Sequence, residues 1–256
     1  MSNPGPAPLV TVAVPSLNQA EYLADALDSV LEQDVPVEVF VADGGSRDGS
    51  VEIIESLAAR LTGWRSHADA GQAAAVNECL ARGRAPYVCW LNSDDLLLPG
   101  ALGALAAALQ QNPAAPVAYA RAWDQNQRSG RRTPVWVEPF DARRLALRCF
   151  VAQPATLIRR SAWEAVEGLD ERLHMALDYD LWWRLYRQGG DFRFVDACLA
   201  VNREHGGTKT RNNRALHYLE AIEVVRRYNG RVPLKWWFYQ PYAVWAKALA
   251  QQIRGD

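Results

Sequence analysis

One feature constrains this chain more than any other. Its first half alternates short, uninterrupted apolar runs with stretches of helical spacing. Residues 10–15, 37–42, 87–91 and 117–121 are runs of the first kind. Between them, 18–33, 50–60, 73–82 and 101–110 repeat apolar residues at three and four positions, as in Tyr22, Leu23, Leu27, Val30 and Leu31. A strand that is apolar without alternation is buried on both faces. Strands that alternate with helices build a largely parallel sheet. The pattern therefore predicts an α/β fold of Rossmann-like character, with a mixed, mainly parallel sheet flanked by helices. In such sheets ligands bind beyond the carboxyl ends of the strands. Here those ends carry Asp43 and the run Asn92-Ser93-Asp94-Asp95.

The second half is less regular. Residues 128–132 with Thr133-Pro134 read as a loop or hairpin tip, 161–167 and 179–188 as helices, and 192–201 as a strand. From about 211 onward the spacing is helical. No internal repeat or low-complexity linker divides the 256 residues, which favours one unit with a helical extension.

Charge and cysteine content remove several classes. A formal net charge of -1 does not suit a nucleic-acid binder. Cys79, Cys89, Cys149 and Cys198 form no CxxC pair, so neither a zinc ribbon nor a thioredoxin-type site is expected. They read as small buried hydrophobes in a reducing compartment. Residues 1–8 lack the layout of a signal peptide, and no window reaches the roughly 20 apolar residues of a membrane span. The expected location is the cytoplasm.

The candidate chemistry lies at the strand ends. Clustered carboxylates at 92–95 repel one another unless partnered, and a divalent cation bridging to a diphosphate is one solution. Capping of the helix near Pro99 is the other. Asp43, before Gly44-Gly45-Ser46, reads either as an acceptor for a nucleobase or ribose or as part of a tight turn. Asp48 or Ser50 would then cap the next helix, and Asp48 is left to that structural role. Asp69-Ala70-Gly71-Gln72, with Asn77 in the next helix, places polar groups where a helix N-terminus can face phosphate. Asp178 or Asp180, beside Trp182 and Trp183, is a candidate general base, since partial burial raises a carboxyl pKa. Asp180 is expected to cap the helix, and both tryptophans are expected in the core. His205 stands in a polar, glycine-bearing loop, which favours a ligand role. His67, His174 and His217 read as surface or packing residues.

Taken in order, these segments resemble the family 2 glycosyltransferases of GT-A fold. The matching pieces begin with Val14-Pro15-Ser16-Leu17-Asn18, Val41-Ala42-Asp43-Gly44-Gly45-Ser46, Asp69-Ala70-Gly71-Gln72 with Asn77, and Trp90-Leu91-Asn92-Ser93-Asp94-Asp95. Gln153-Pro154-Ala155-Thr156, Gly168-Leu169-Asp170-Glu171, Asp178-Tyr179-Asp180-Leu181-Trp182 and His205-Gly206-Gly207-Thr208 complete the series. The resemblance implies an inverting, metal-dependent transfer of a sugar from a UDP-, GDP- or dTDP-sugar to a saccharide or lipid-linked acceptor, as in bacterial surface polysaccharide assembly. It implies Asp94 and His205 as ligands of Mn2+ or Mg2+, and Asp178 as the base. Pro15, Ser16, Asn18, Asp43, Gly71, Gln72, Asn77, Asn92, Ser93 and Gln153 would line the donor site. The expected catalytic domain is 1–210, with a nucleotide-sugar half over about 9–115 and an acceptor half over about 116–210. Two positions depart from the family pattern: Asn92 stands at the first DxD position, and Leu177 stands where a Glu precedes the base. The Gln-x-x-Arg-Trp motif of processive synthases is absent.

Residues 211–256 carry eight Arg or Lys against three Asp or Glu. Trp236, Trp237, Phe238, Tyr239, Tyr242 and Trp245 are interleaved there with Lys235 and Lys247. Such a segment suits either a peripheral contact with a membrane surface or packing against the domain or a second copy. Two other classes stay open at this level. A nucleotidyltransferase would show a Gly-rich basic signature near the N-terminus, which 12–18 lacks. A decayed sugar-nucleotide binder would accommodate Asn92 and Leu177.

Overall fold

β1 (Val10–Ser16) is buried along its whole length, and its β-branched residues suit a strand covered on both faces. A computed structural model describes residues 6–240 of the chain. After β1 come α1 (Ala20–Leu31), β2 (Val37–Asp43), α2 (Ser50–Leu57), β3 (Gly63–Ser66), α3 (Gln72–Arg82), β4 (Tyr87–Trp90) and β5 (Leu96–Leu97). α4 (Ala101–Gln111), β6 (Val117–Asn126), β7 (Arg132–Pro134), α5 (Ala142–Leu145), β8 (Thr156–Arg159) and α6 (Arg160–Ala165) follow. The described chain ends with α7 (Leu177–Arg187), β9 (Arg193–Glu204), α8 (Lys209–Asn212), α9 (Arg214–Asn229) and α10 (Leu234–Gln240).

Among the described residues one sheet runs in the order β3-β2-β1-β4-β8-β6-β9-β5, with β7 paired to β6. β3, β2, β1 and β4 are mutually parallel, while β8 enters antiparallel to both β4 and β6. The longest registers, β1 on β2 and β6 on β9, are both parallel. The mixed sheet with flanking helices is the α/β architecture read from the apolar runs.

Helix starts are fixed by local chemistry. The Asp48 carboxylate accepts the Ala20 N–H (2.9 Å) and the Ser50 N–H (3.1 Å), tying the starts of α1 and α2 together. α1 buries Tyr22, Leu23, Ala26, Leu27 and Val30, its apolar stripe, against the sheet. Trp182 stacks on Trp90 at 6.2 Å, and both are core residues. The four cysteines are unpaired, and burial pushes the Cys79 and Cys89 thiols up to about 12.

α9 does not stand apart. It buries Tyr218, Ala221, Ile222, Val224 and Val225. Trp236 donates to the Ala146 carbonyl (2.8 Å) and stacks on Tyr179. Packing therefore claims much of 211–236, while Trp237 and Phe238 are exposed. The Tyr239 side chain and Tyr242, Trp245 and Lys247 lie outside the described residues. No helix among the described residues is long and apolar enough to cross a membrane.

Candidate active site

A cavity of about 930 Å³ opens at the carboxyl ends of β1 and β4. Pro15 and Ser16 line it from the end of β1, and the Ser16 hydroxyl is buried with no hydrogen-bond partner among the described residues. Gly71 and Gln72 line it from the start of α3. Gly71 has φ +116°, which favours glycine, and its Cβ position is open space, so backbone faces the cavity directly.

Asn92 and Ser93, directly after β4, form the next part of the wall. Asn92 Oδ1 accepts from Gln72 Nε2 (2.7 Å), and its Nδ2 donates to Asp95 Oδ2 (3.1 Å). Gln72 Oε1 in turn accepts from Lys209 Nζ (3.0 Å). Gln153 holds the same corner by donating to the Trp90 carbonyl (2.8 Å). The network orients the amides of Gln72, Asn92 and Gln153 toward one corner of the cavity.

Asp94 and His205 meet although 111 residues separate them, with Asp94 Oδ2 and His205 Nε2 at 3.1 Å. The antiparallel pairing of β5 with β9 brings them together: Leu96 lies opposite Val201 and Leu97 opposite Ala200. Extended by two residues, that register sets Asp94 across from Arg203. The His205 ring packs on Tyr22, with centroids 4.3 Å apart. A carboxylate oxygen and an imidazole nitrogen this close suit a divalent ion that completes its coordination with diphosphate oxygens and water. Among the described residues no group of three His, Cys, Asp or Glu side chains forms a closed protein cage. The donor set thus fits Mg2+ or Mn2+ shared with a ligand, and does not fit a structural zinc.

Sequence reasoning missed two residues that build this corner. Asp95 is buried and accepts the Arg203 N–H (3.1 Å), and burial, followed by the Asp94 charge, holds its carboxyl well above the usual range. Arg203 is buried beneath the pair, donating to the carbonyls of Asp94 and Tyr22 and pairing with Asp25. Neither role has a local signal, because each depends on a partner more than 100 residues away.

Three expected donor-site residues do not line the cavity. Asp43 is fully buried, and its carboxylate is engaged by its own loop. Its Oδ2 accepts from Gly45 N (3.0 Å), Ser46 N (2.9 Å) and Ser66 Oγ (2.6 Å), and its Oδ1 accepts from the Ser46 hydroxyl. Burial pushes its pKa up, but these donated bonds outweigh burial and hold it below the usual aspartate value. Asn18, at φ +52°, accepts the Arg47 N–H and donates its own N–H to Ser46, joining two loops. Asn77 clamps Leu169 through both sides of its amide and also donates to Glu171 (2.9 Å). Gly168 lies so close that a Cβ there would stand 2.6 Å from Asn77 Oδ1. All three shape the walls from behind instead of facing the cavity.

The two aspartates of α7 have different surroundings. Asp180 is buried and engaged by Arg184 (2.7 Å), Arg227 (3.3 Å) and Tyr228 (2.8 Å), away from the cavity. Asp178 is half-buried on the cavity wall, and burial raises its carboxyl pKa, with His217 opposing that rise. Carboxylates dominate the lining: Asp69, Asp94, Asp95, Asp124, Glu171, Asp178 and Glu204 belong to it, while Lys209 and Arg203 are its Lys and Arg residues. Arg203 is already engaged by carbonyls and Asp25. A multiply charged anion entering here needs added positive charge, because opposite-charge attraction at a few ångströms is worth kilocalories per mole.

A family model described as "Glycosyl transferase family 2" matches residues 11–166. Chondroitin synthase of Pasteurella multocida (strain Pm70) is 26% identical over 206 residues, which are 79% of this chain and 21% of that synthase. Succinoglycan biosynthesis protein ExoU of Rhizobium meliloti (strain 1021) is 27% identical over 237 residues, covering 85% of this chain and 68% of that protein. The chain spans between 21% and 34% of the length of three curated synthases that it matches. S. aureus TarS 1-349 in complex with UDP-GlcNAc superposes with a TM-score of 0.71 at 19% identity, covering 88% of this chain and 67% of that one. Mannosyltransferase PcManGT from Pyrobaculum calidifontis, in complex with GDP-Man and Mn2+, gives 0.65 at 21% identity, with coverage of 99% and 77%. At these identities the two structures establish the shared fold.

Proposed function

Since the chain belongs to glycosyl transferase family 2, we propose that it transfers a sugar from a nucleoside-diphosphate donor to an acceptor hydroxyl with inversion at the anomeric carbon. One observation carries this reading: Asp94, whose carboxylate stands 3.1 Å from His205 Nε2, and the half-buried Asp178 line a single cavity at the strand ends. The donor's diphosphate lies beside Asp94 and His205, with Lys209 countering its charge. Gln72, Asn92 and Gln153 offer amides to the ribose and sugar hydroxyls. A divalent cation bound by Asp94 and His205 would supply positive charge to the diphosphate as the bond to the sugar breaks. Asp178 accepts the acceptor's hydroxyl proton while that oxygen bonds to the anomeric carbon. The nucleoside diphosphate leaves from the opposite face with the bonding electron pair.

The neighbours in complex with UDP-GlcNAc and GDP-Man support a UDP- or GDP-sugar donor, and a dTDP-sugar is the third member of that series. Relatives named for chondroitin and succinoglycan support a saccharide or lipid-linked acceptor in polysaccharide assembly. Residues up to about 210 form the catalytic unit in this reading, with donor and acceptor halves meeting near 115. Exposed Leu219, Leu234 and Phe238 on α9 and α10 support a contact with the membrane surface that presents a lipid-linked acceptor.

The test is a thermal-shift titration with UDP, GDP, dTDP and CDP, each with and without Mn2+. A ligand at about 100 times its Kd adds about 2.7 kcal/mol, a rise of several degrees. Asp94→Ala should abolish the metal-dependent part. Asp178→Asn should keep the shift yet lose about 10²–10⁴-fold in turnover. A wild-type protein that no nucleotide stabilises in the presence of metal would refute the proposal.

A further inference from the structure

α9 places two side chains around the start of α7, and only one of them has an evident structural task. The Glu220 carboxylate accepts the N–H groups of His174 (3.1 Å), Met175 (2.8 Å) and Ala176 (2.9 Å), the residues immediately before Leu177 and Asp178. Three residues earlier, and so on the same face of α9, stands His217. It lines the cavity together with Asp178. Its Nδ1 is buried and finds no hydrogen-bond partner among the described residues. Asp178 itself accepts from the neighbouring Tyr179 N–H (2.7 Å), and no described side chain donates to it. A half-buried carboxylate without a side-chain donor and an imidazole whose Nδ1 has no partner thus line the same cavity.

We propose that His217 is a positioning residue for Asp178, holding its carboxylate ionised and directed into the cavity while the acceptor binds. The inference rests on Asp178 being the base. Burial favours the neutral forms of both groups, raising Asp178 and lowering His217. An imidazole N–H turned to the carboxylate favours its ionised form, while burial keeps Asp178 more basic than a solvated aspartate. The surrounding groups are few. Cys149, also on the wall, has a thiol pushed far up by burial and then by Asp178, so it stays neutral. On α9 itself, Glu220 supports a positive His217 and Arg214 opposes it. Glu220 is an anchor for the loop before α7, and His217 offers a ring N–H at the reacting end.

The test is the pH profile of kcat for wild type and His217→Gln, with donor KM and melting temperature measured in parallel. Loss of the imidazole should move the acid limb upward by about one pH unit, with donor KM little changed. An acid limb that stays in place would overturn the proposal. Should His217→Gln fail to fold, NMR titration of His217 in the unaltered protein and in Asp178→Asn gives a second readout. The His217 pKa should fall when the carboxylate is removed, and an unchanged value would overturn the proposal equally. Asp178→Asn turnover separates the two readings. If that variant stays active, the base assignment itself fails. If it is inactive while neither His217 readout moves, only the positioning role fails.

Discussion

Replacing Asp43 by Asn distinguishes a loop organiser from a ligand-binding group. The carboxylate receives four hydrogen bonds, from Gly45 N, Ser46 N, the Ser46 hydroxyl and the Ser66 hydroxyl. An Asn oxygen can keep the three at Oδ2, but without the charge, and the amide nitrogen cannot accept the fourth. A hydrogen bond to a charged group contributes roughly 1.5–3 kcal/mol against about 1 for a neutral one. Relief from burying a charge offsets part of that difference. The net loss should be about 2 kcal/mol at neutral pH, or about 4–8 °C in Tm for a chain of this size. The pH dependence has a definite sign. The folded-state pKa lies below the ordinary value of 3.8, so the ionised form is the one the fold stabilises. That contribution is fully present above 3.8 and disappears as pH falls through the lower, folded-state value. Denaturant titrations of both proteins from pH 7 downward should therefore converge in acid. Equal stability at pH 7, with a loss of nucleotide affinity instead, would refute the structural role and return Asp43 to the donor site.

Arg203→Met should destabilise the protein by about 3 kcal/mol, since the carbonyls of Asp94 and Tyr22 lose a buried donor at about 1–3 kcal/mol each. Asp25, 72% exposed, adds less than about 1 kcal/mol. The same variant should need more Mn2+ to show nucleotide-dependent stabilisation, and an unchanged Tm with an unchanged Mn2+ midpoint would contradict this. Lys209→Ala should weaken a nucleoside diphosphate about tenfold, or about 1.4 kcal/mol, while leaving the free nucleoside nearly unaffected. Calorimetric titration with both ligands measures that difference, and equal losses for the two would remove Lys209 from the diphosphate.

What the sequence showed of this fold follows from burial. β1, β2 and β4 are covered on both faces and read as unbroken apolar runs. β3 (Gly63–Ser66) is a half-exposed edge strand of sequence GWRS, and β5 has two residues, so neither presents a pattern. β8 is four residues between polar ends and enters antiparallel. The same limits apply to the site. A carboxylate at a strand end was readable at Asp43, but its direction is set partly by Ser66, which belongs to the unreadable β3. Asn77 looked like a polar group at a helix start, and its partners at Leu169 and Glu171 lie more than 90 residues on. His217 sits in an ordinary helical stretch, and nothing nearby in sequence marks its proximity to Asp178.

The site divides into two halves held by different restraints. The Asp94–His205 pair depends on a two-residue strand, β5, whose register on β9 could slip easily by itself. Asp95 and Arg203 lock that register: one accepts the backbone N–H of the other, which then donates to the carbonyl of Asp94. A slip of one residue would break both bonds and turn His205 away from Asp94. Asp178 owes nothing to that register. It sits at the start of α7, on a backbone gripped by Glu220 of α9. Changes at Asp95 or Arg203 should therefore appear in metal and donor binding, and changes at His217 or Glu220 in the pH dependence of turnover. Sites this far apart in the contact network act additively unless they share a partner. In the variant combining Arg203→Met with His217→Gln, the Mn2+ midpoint and the acid limb should each shift as in the single variants. A coupled shift would mean that β9 and α9 move together when donor binds.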